Sequence, residues 1–221
     1  MPGFHPRADE LPAEFAVFPL TGALLLPRGK LPLNIFEARY LAMTEDSLGA
    51  GRMFGMIQPD ESRPAGATGP ALYRVGCLGR VASFSETDDG RFLISLVGLV
   101  RFVVTEELAL ARGYRRVRGD CSSYLDDLEP TRPASGGVER ARLIGAMRRY
   151  FTRRGFDTNW KAIDAMDDED LIGTLSMVCP FEPAEKQALL EAREDRAHIL
   201  LALLEMGAAD PNGGSDHLSV S

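Results

Sequence analysis

The sequence predicts an α+β chain, with a β-rich first half that is closed or barrel-like and a helical second half. Three observations carry this. From Phe15 to about Tyr124, short apolar runs rich in β-branched and aromatic residues are separated by Gly, Pro, Asp and Ser, as strands and turns require. Beyond about residue 138 the apolar residues recur at helical spacing instead. Within the first half, Phe92, Ile94 and Leu96 point one way and Leu93, Ser95 and Val97 the other, so both faces of that strand are at least partly covered, as in a closed sheet.

In chain order, residues 1–12 read as a flexible N-terminus and 13–128 as the β-rich domain. One helix interrupts the strands: after the extended LPLNIF, residues Ala38, Tyr40, Leu41, Met43, Thr44 and Leu48 keep helical spacing up to Gly49 or Gly51. The stretch PDESRPAGATGP at 59–70 lacks apolar content and reads as a flexible loop. Val81–Ser85 and Phe92–Leu96 form a hairpin, with Asp89 and Gly90 supplying positive φ in the turn. EPTRPASGG at 129–137 is the linker. The bundle, 138–206, opens with a helix whose stripe of Leu143, Ile144, Met147, Tyr150 and Phe151 faces a core. Asp167 caps a helix that runs to about Val178, Pro183 sits in the first turn of the next with Glu185 favouring its start, and Ile199, Leu200, Leu203 and Leu204 mark a last helix stopping at Gly207. Residues 207–221 read as a disordered tail.

Composition narrows the function classes. A chain of 221 residues with 45% apolar content can bury a sizeable core, and a net charge of −7 opposes broad attraction to nucleic acid or anionic lipid. No run has the length of a signal peptide's apolar region or of a bilayer span. Cys77, Cys121 and Cys179 are odd in number and far apart, which suits buried thiols in a reducing compartment, so a cytoplasmic location is expected.

LLPRGKLPLNIFEARY at 25–40 resembles the segment that opens the N-terminal, substrate-binding domain of Lon proteases, and so do VFPL at 17–20 and DGRFLISLVGLVRF at 89–102, in the family's order. LSMVCPFEPAEKQALLEA at 175–192 is similar to the helical part of short bacterial proteins built only from this domain. Ala38 stands where the family commonly has proline. The resemblance, to a stand-alone member of that family over roughly residues 12–206, implies a PUA-like pseudo-barrel followed by a helical bundle. It also implies a non-catalytic module that engages unfolded or apolar protein segments or serves as a proteolysis adaptor. Its expected partners are protein or peptide clients and a protease or chaperone system.

No catalytic, cofactor-binding or metal-ligating residue is assigned, and the sequence does not single out a protein-binding surface. Lon's ATPase would need a phosphate-cradling G-x-x-x-x-G-K-[ST], yet Gly29-Lys30 is followed by Leu31 and Leu24 stands at the first glycine. A Ser-Lys peptidase would need a desolvated lysine, but of Lys30, Lys161 and Lys186 the last sits in an EKQ run and reads as an exposed helix lysine. His5, His198 and His217 are dispersed, and His198 reads as a helix-surface or interhelical hydrogen-bonding residue. Asp167, Asp168, Glu169 and Asp170 suit capping better than a cation. Glu37 and Arg39, two apart, should not face each other on a helix, so Arg39 is expected to be partly buried and to tie the helix to a strand. The alternative function is an RNA-binding PUA-like module using the arginine-rich helix 138–155, with Arg140, Arg142, Arg148, Arg149, Arg153 and Arg154; a solvated helix face is the simpler reading of that cluster.

Overall fold

A computed structural model describes residues 6–129 and 138–209 of the chain. Residues 130–137 of the 129–137 linker, most of the tail, His5 and His217 lie outside them. Two compact units form: one takes 6–129 together with Met177–Glu191, the other 138–176 together with 192–209.

The first unit holds six strands, β1 (Glu14–Pro19), β2 (Lys30–Ile35), β3 (Met53–Ile57), β4 (Val75–Glu86), β5 (Phe92–Ala111) and β6 (Tyr114–Asp120). Helix α1 (Ala38–Gly49) lies between β2 and β3 in sequence. The strand order is β2-β5-β4-β3-β1-β6, and a further β5–β6 pairing closes the sheet on itself. Closure is what the two-sided apolar pattern demanded, since a barrel covers the inner face of every strand. The 20-residue β5 makes this geometry work: its first part pairs with β2 and β4, and its second with β6. Phe15 and Phe102 meet edge to face inside, with centroids 4.9 Å apart, beside the fully buried Val17, Phe54, Leu78 and Val100.

Two of the motifs quoted above prove to be one structural device. The Pro27-Arg28-Gly29 turn docks on Gly98 by a reciprocal pair of backbone bonds, Arg28 N–H to the Gly98 carbonyl at 2.8 Å and Gly98 N–H to the Gly29 carbonyl at 2.9 Å. A Cβ at position 98 would lie 2.0 Å from the Leu26 carbonyl oxygen, so only glycine admits this approach. The hairpin forms as expected, with Val81 opposite Leu96 and Ser85 opposite Leu93. Its turn needs positive φ only at Gly90, at 77°, and not at Asp89. Segment 59–70 folds back on itself through Asp60 N–H to the Ala71 carbonyl (2.7 Å), Ser62 Oγ to Asp60 (2.6 Å) and paired bonds between Gly66 and Gly69.

Buried polar groups hold this unit together. Arg101 is 1% exposed; its Nε and Nη2 donate to the two carboxylate oxygens of Asp127 at 2.9 and 2.8 Å, and its Nη1 donates to the Leu190 carbonyl at 3.1 Å. Helix α5 (Pro183–Glu191) is fixed to the strands in the same manner. Gln187 Nε2 donates to the Val75 carbonyl at 3.0 Å, and Gln58 Nε2 to the Pro183 carbonyl at 3.0 Å. Lys186, expected on a helix surface, is instead 6% exposed, its Nζ donating to the carbonyls of Gly22 at 2.7 Å and Met177 at 3.2 Å. Two carbonyl acceptors are what make an ammonium tolerable there, and burial pushes its pKa down.

The second unit contains α2 (Arg140–Arg154), α3 (Trp160–Ala165), most of α4 (Asp168–Val178) and α6 (Arg196–Ala209), which runs two residues past the expected stop at Gly207. Asp167 caps α4 by accepting from Asp170 N–H at 2.8 Å. Leu143, Met147, Tyr150 and Phe151 form the expected buried stripe of α2. Gly207 meets the Tyr150 ring so closely that a Cβ would come within 2.5 Å of it.

Candidate protein-binding surface

The first unit leaves open a three-stranded flap made by β2, the start of β5 and the end of β4. β3 pairs with β4 only from Cys77 to Arg80, and Val81 N–H still reaches the Arg52 carbonyl at 2.8 Å. Past that bond, residues 82–86 have no strand partner on that side among the described residues, and all five are exposed. β2 pairs only with β5, so its outer edge is open too. The two edges are not equivalent. Pro32 lacks an N–H, which blunts β2 as a template, whereas 82–86 contains no proline and loses no main-chain donor to one.

Three large apolar side chains stand on this flap: Phe36 is 63% exposed, Leu93 46% and Phe84 38%. Leu93, with Asn34 and Ser85 as cross-strand partners, lies on one of the two faces that the sequence pattern expected to be at least partly covered. Phe84 lies on the other face, its ring edge-on to the buried Phe92 at 4.9 Å. The Arg91 guanidinium sits 5.9 Å from the Phe36 ring. An open edge beside exposed apolar side chains offers an extended segment both main-chain hydrogen bonds and apolar contacts.

The charged residues singled out by the sequence fall elsewhere. Arg39 is half exposed and does pair with Glu37, at 2.8 Å, contrary to the spacing rule. The rule fails because Glu37 is the N-cap of α1 with extended φ/ψ, outside the helix. Among the described residues Arg39 therefore has no hydrogen bond or ion pair to a strand; its guanidinium lies over the Tyr40 ring at 4.6 Å. In the arginine cluster, Arg140 contacts Asp168 and the carbonyls of Ile163 and Met166, and Arg142 pairs with Glu205 at 3.1 Å. Arg148 stacks over Trp160 at 4.4 Å and Arg154 over Tyr150 at 5.3 Å. Cys77, Cys121 and Cys179 are free and buried, and burial raises the thiols of Cys121 and Cys179 to about 11 and about 12.

A family model described as the ATP-dependent protease La (LON) substrate-binding domain matches residues 14–205. The chain belongs to this family. Lon protease 2 of Sorangium cellulosum (strain So ce56) is 28% identical over 91% of this chain, and the Lon protease of Anaeromyxobacter dehalogenans (strain 2CP-C) is 25% identical over 88%. The chain spans about a quarter of the length of these relatives, 25% and 23%. Among solved structures, a Lon N-terminal domain protein from Xanthomonas campestris superposes with a TM-score of 0.55 at 21% identity, covering 86% of this chain and 96% of that one. The N-terminal domain of a Mycobacterium avium complex Lon protease also gives 0.55, at 14% identity, with 90% and 99% covered. These likenesses carry the fold. The LON substrate-binding family carries the general role, a substrate-recognition module. Among the described residues no helix is long and apolar enough to cross a membrane.

Proposed function

We propose that this LON-type domain acts without catalysis, by binding exposed apolar or unfolded segments of other proteins on the flap of 13–128, and that it presents them to a protease or chaperone system in the cytoplasm. The observation that carries the reading is the open, proline-free edge at 82–86 flanked by Phe84, Leu93 and Phe36. An extended client pairs with that edge through its main chain, which tolerates varied sequences, while the exposed side chains select apolar residues. Four of the six arginines behind the RNA-binding alternative have carboxylate, carbonyl or aromatic partners within their own unit, which favours protein as the ligand.

The test is binding of the pure protein to an unfolded client, such as reduced and carboxymethylated lactalbumin, and to a panel of labelled apolar peptides. Binding in the micromolar range is expected. The double substitution Phe36→Ser, Leu93→Ser removes two exposed apolar contacts and should weaken it about tenfold or more without altering the thermal unfolding midpoint. Absence of binding at tens of micromolar, or full binding by the double variant, rejects the proposal.

A further inference from the structure

Past the middle of β5, away from the flap, a groove of about 390 Å³ separates the 59–72 segment from the β5–β6 ribbon. Its charge does not follow that of the chain. On a protein of net charge −7, the groove is lined by Arg63, Arg74 and Arg115 against Glu106 and Glu107. Both glutamates are already neutralised: Glu107 accepts from Arg115 Nη2 at 2.5 Å and from Thr68 Oγ1 at 3.1 Å, and Glu106 pairs with Arg118. Two cationic heads stay available. Arg74 is exposed and its guanidinium has no partner among the described residues, while Arg63, also exposed, makes one long bond from Nη1 to the Leu72 carbonyl at 3.4 Å and lies 4.0 Å from Asp60, which leaves its other guanidinium N–H groups for a carboxylate.

The wall behind these heads is held by Arg115. The Arg115 side chain is 9% exposed and its Nη1 grips the Pro70 carbonyl at 2.6 Å, which fixes the 59–72 segment across from the ribbon. Its Nε is buried with no acceptor. The opposite wall supplies main-chain groups. β4 stops pairing with β5 at Val75 opposite Val103, and the last bond on that side runs from Val104 N–H to the Arg74 carbonyl at 2.7 Å. Beyond it that edge of β5, at Thr105 to Glu107, faces the groove with no strand beside it among the described residues.

We propose that this groove is a second peptide site, which takes an extended acidic segment: its main chain adds to the open edge of β5 after Val104, and its carboxylates are held by Arg63 and Arg74. Charge-assisted bonds from arginine to carboxylate are the strong class of hydrogen bond, and main-chain pairing sets the register in which they form. The site lies up to roughly 40 Å along β5 from Leu93, at about 3.3 Å per residue, so it and the apolar flap can be tested apart.

The experiment is fluorescence anisotropy of the full chain with a labelled six-residue peptide of alternating Glu and Val, with its Gln-for-Glu counterpart, and with a version N-methylated at alternate residues. The acidic peptide is expected to bind, and more weakly as salt rises. The Gln peptide, and the Arg63→Gln, Arg74→Gln double variant with the acidic peptide, should each bind at least about tenfold more weakly. N-methylation should abolish binding. Phe36→Ser, Leu93→Ser should leave the acidic peptide's affinity unchanged, so loss of apolar-client binding at the flap does not decide this proposal. Equal affinity for the Glu and Gln peptides, or undiminished binding by the arginine double variant at an unchanged unfolding midpoint, overturns the site; undiminished binding of the N-methylated peptide overturns the strand pairing.

Discussion

Arg101 and Asp127 show how much a single buried charge can command. The guanidinium is 1% exposed, and it is held by a bidentate carboxylate, by the Leu190 carbonyl and by the Tyr124 ring 4.3 Å away. Removing one partner leaves an uncompensated charge in the core, whereas removing both leaves no charge, only a packing change and the loss of the partners of two main-chain groups, the Arg101 N–H and the Leu190 carbonyl. Asp127→Ala is therefore expected to lower the free energy of unfolding by about 3–5 kcal/mol in urea titrations. Arg101→Met combined with Asp127→Leu should cost less than the single change. A double variant less stable than Asp127→Ala would show that the pair contributes more than mutual neutralisation. Arg39 lies at the other extreme: half exposed and in an ion pair with its neighbour Glu37, it adds little to stability.

Elements are joined by contacts of intermediate burial, and α1 illustrates them. Asp46 on α1 accepts from the Tyr114 hydroxyl at 2.8 Å and from Arg112 Nη1 at 2.7 Å, which ties the helix to the turn between β5 and β6. The Tyr114 hydrogen bond, followed by those of Arg112, holds the Asp46 carboxyl below its usual value of 3.8. A depressed carboxylate stabilises the fold above its unfolded pKa, and that contribution disappears as pH falls through the lower, folded value. Asp46→Asn should accordingly be slightly less stable than the parent at pH 7, and the gap should begin to close near pH 3.8 and vanish below the lower, folded pKa when thermal midpoints are compared across pH. A constant difference down to pH 2 would refute this role. Elements of this kind were legible from local pattern: the hairpin about Gly90, α1 from its spacing, α4 from Asp167 and the start of α5 from Pro183 all depend on residues a few positions apart. What local pattern could not supply was the environment of Lys186, because its acceptor at Gly22 lies 164 positions away and an EKQ run looks the same on a solvated helix. The open edge at 82–86 was likewise invisible, since it exists only because β3 ends opposite Arg80.

For the molecule as a whole, the strand order makes the barrel depend on distant parts of the chain. β1 pairs with β3 in parallel and with β6 near residue 120, so the ring cannot close before β6 is present. α5 arrives later still and contributes the buried Leu189 and Leu190 along with Lys186 and Gln187. A chain cut after Glu129 forfeits roughly 3–6 kcal/mol of apolar burial from those two leucines alone, much of the 5–15 kcal/mol by which domains are usually stable. Its thermal transition by circular dichroism should be broad or absent where the full chain's is sharp; a cooperative melt at the same temperature would show that α5 is dispensable. There is a consequence for biosynthesis. A ribosome that has delivered β6 must translate about seventy more residues before Glu191 emerges, and through that interval the surface later covered by α5 stays uncovered. A substrate-recognition module, proposed here to bind unfolded chains, thus passes through a state in which it presents the same kind of surface to its own surroundings.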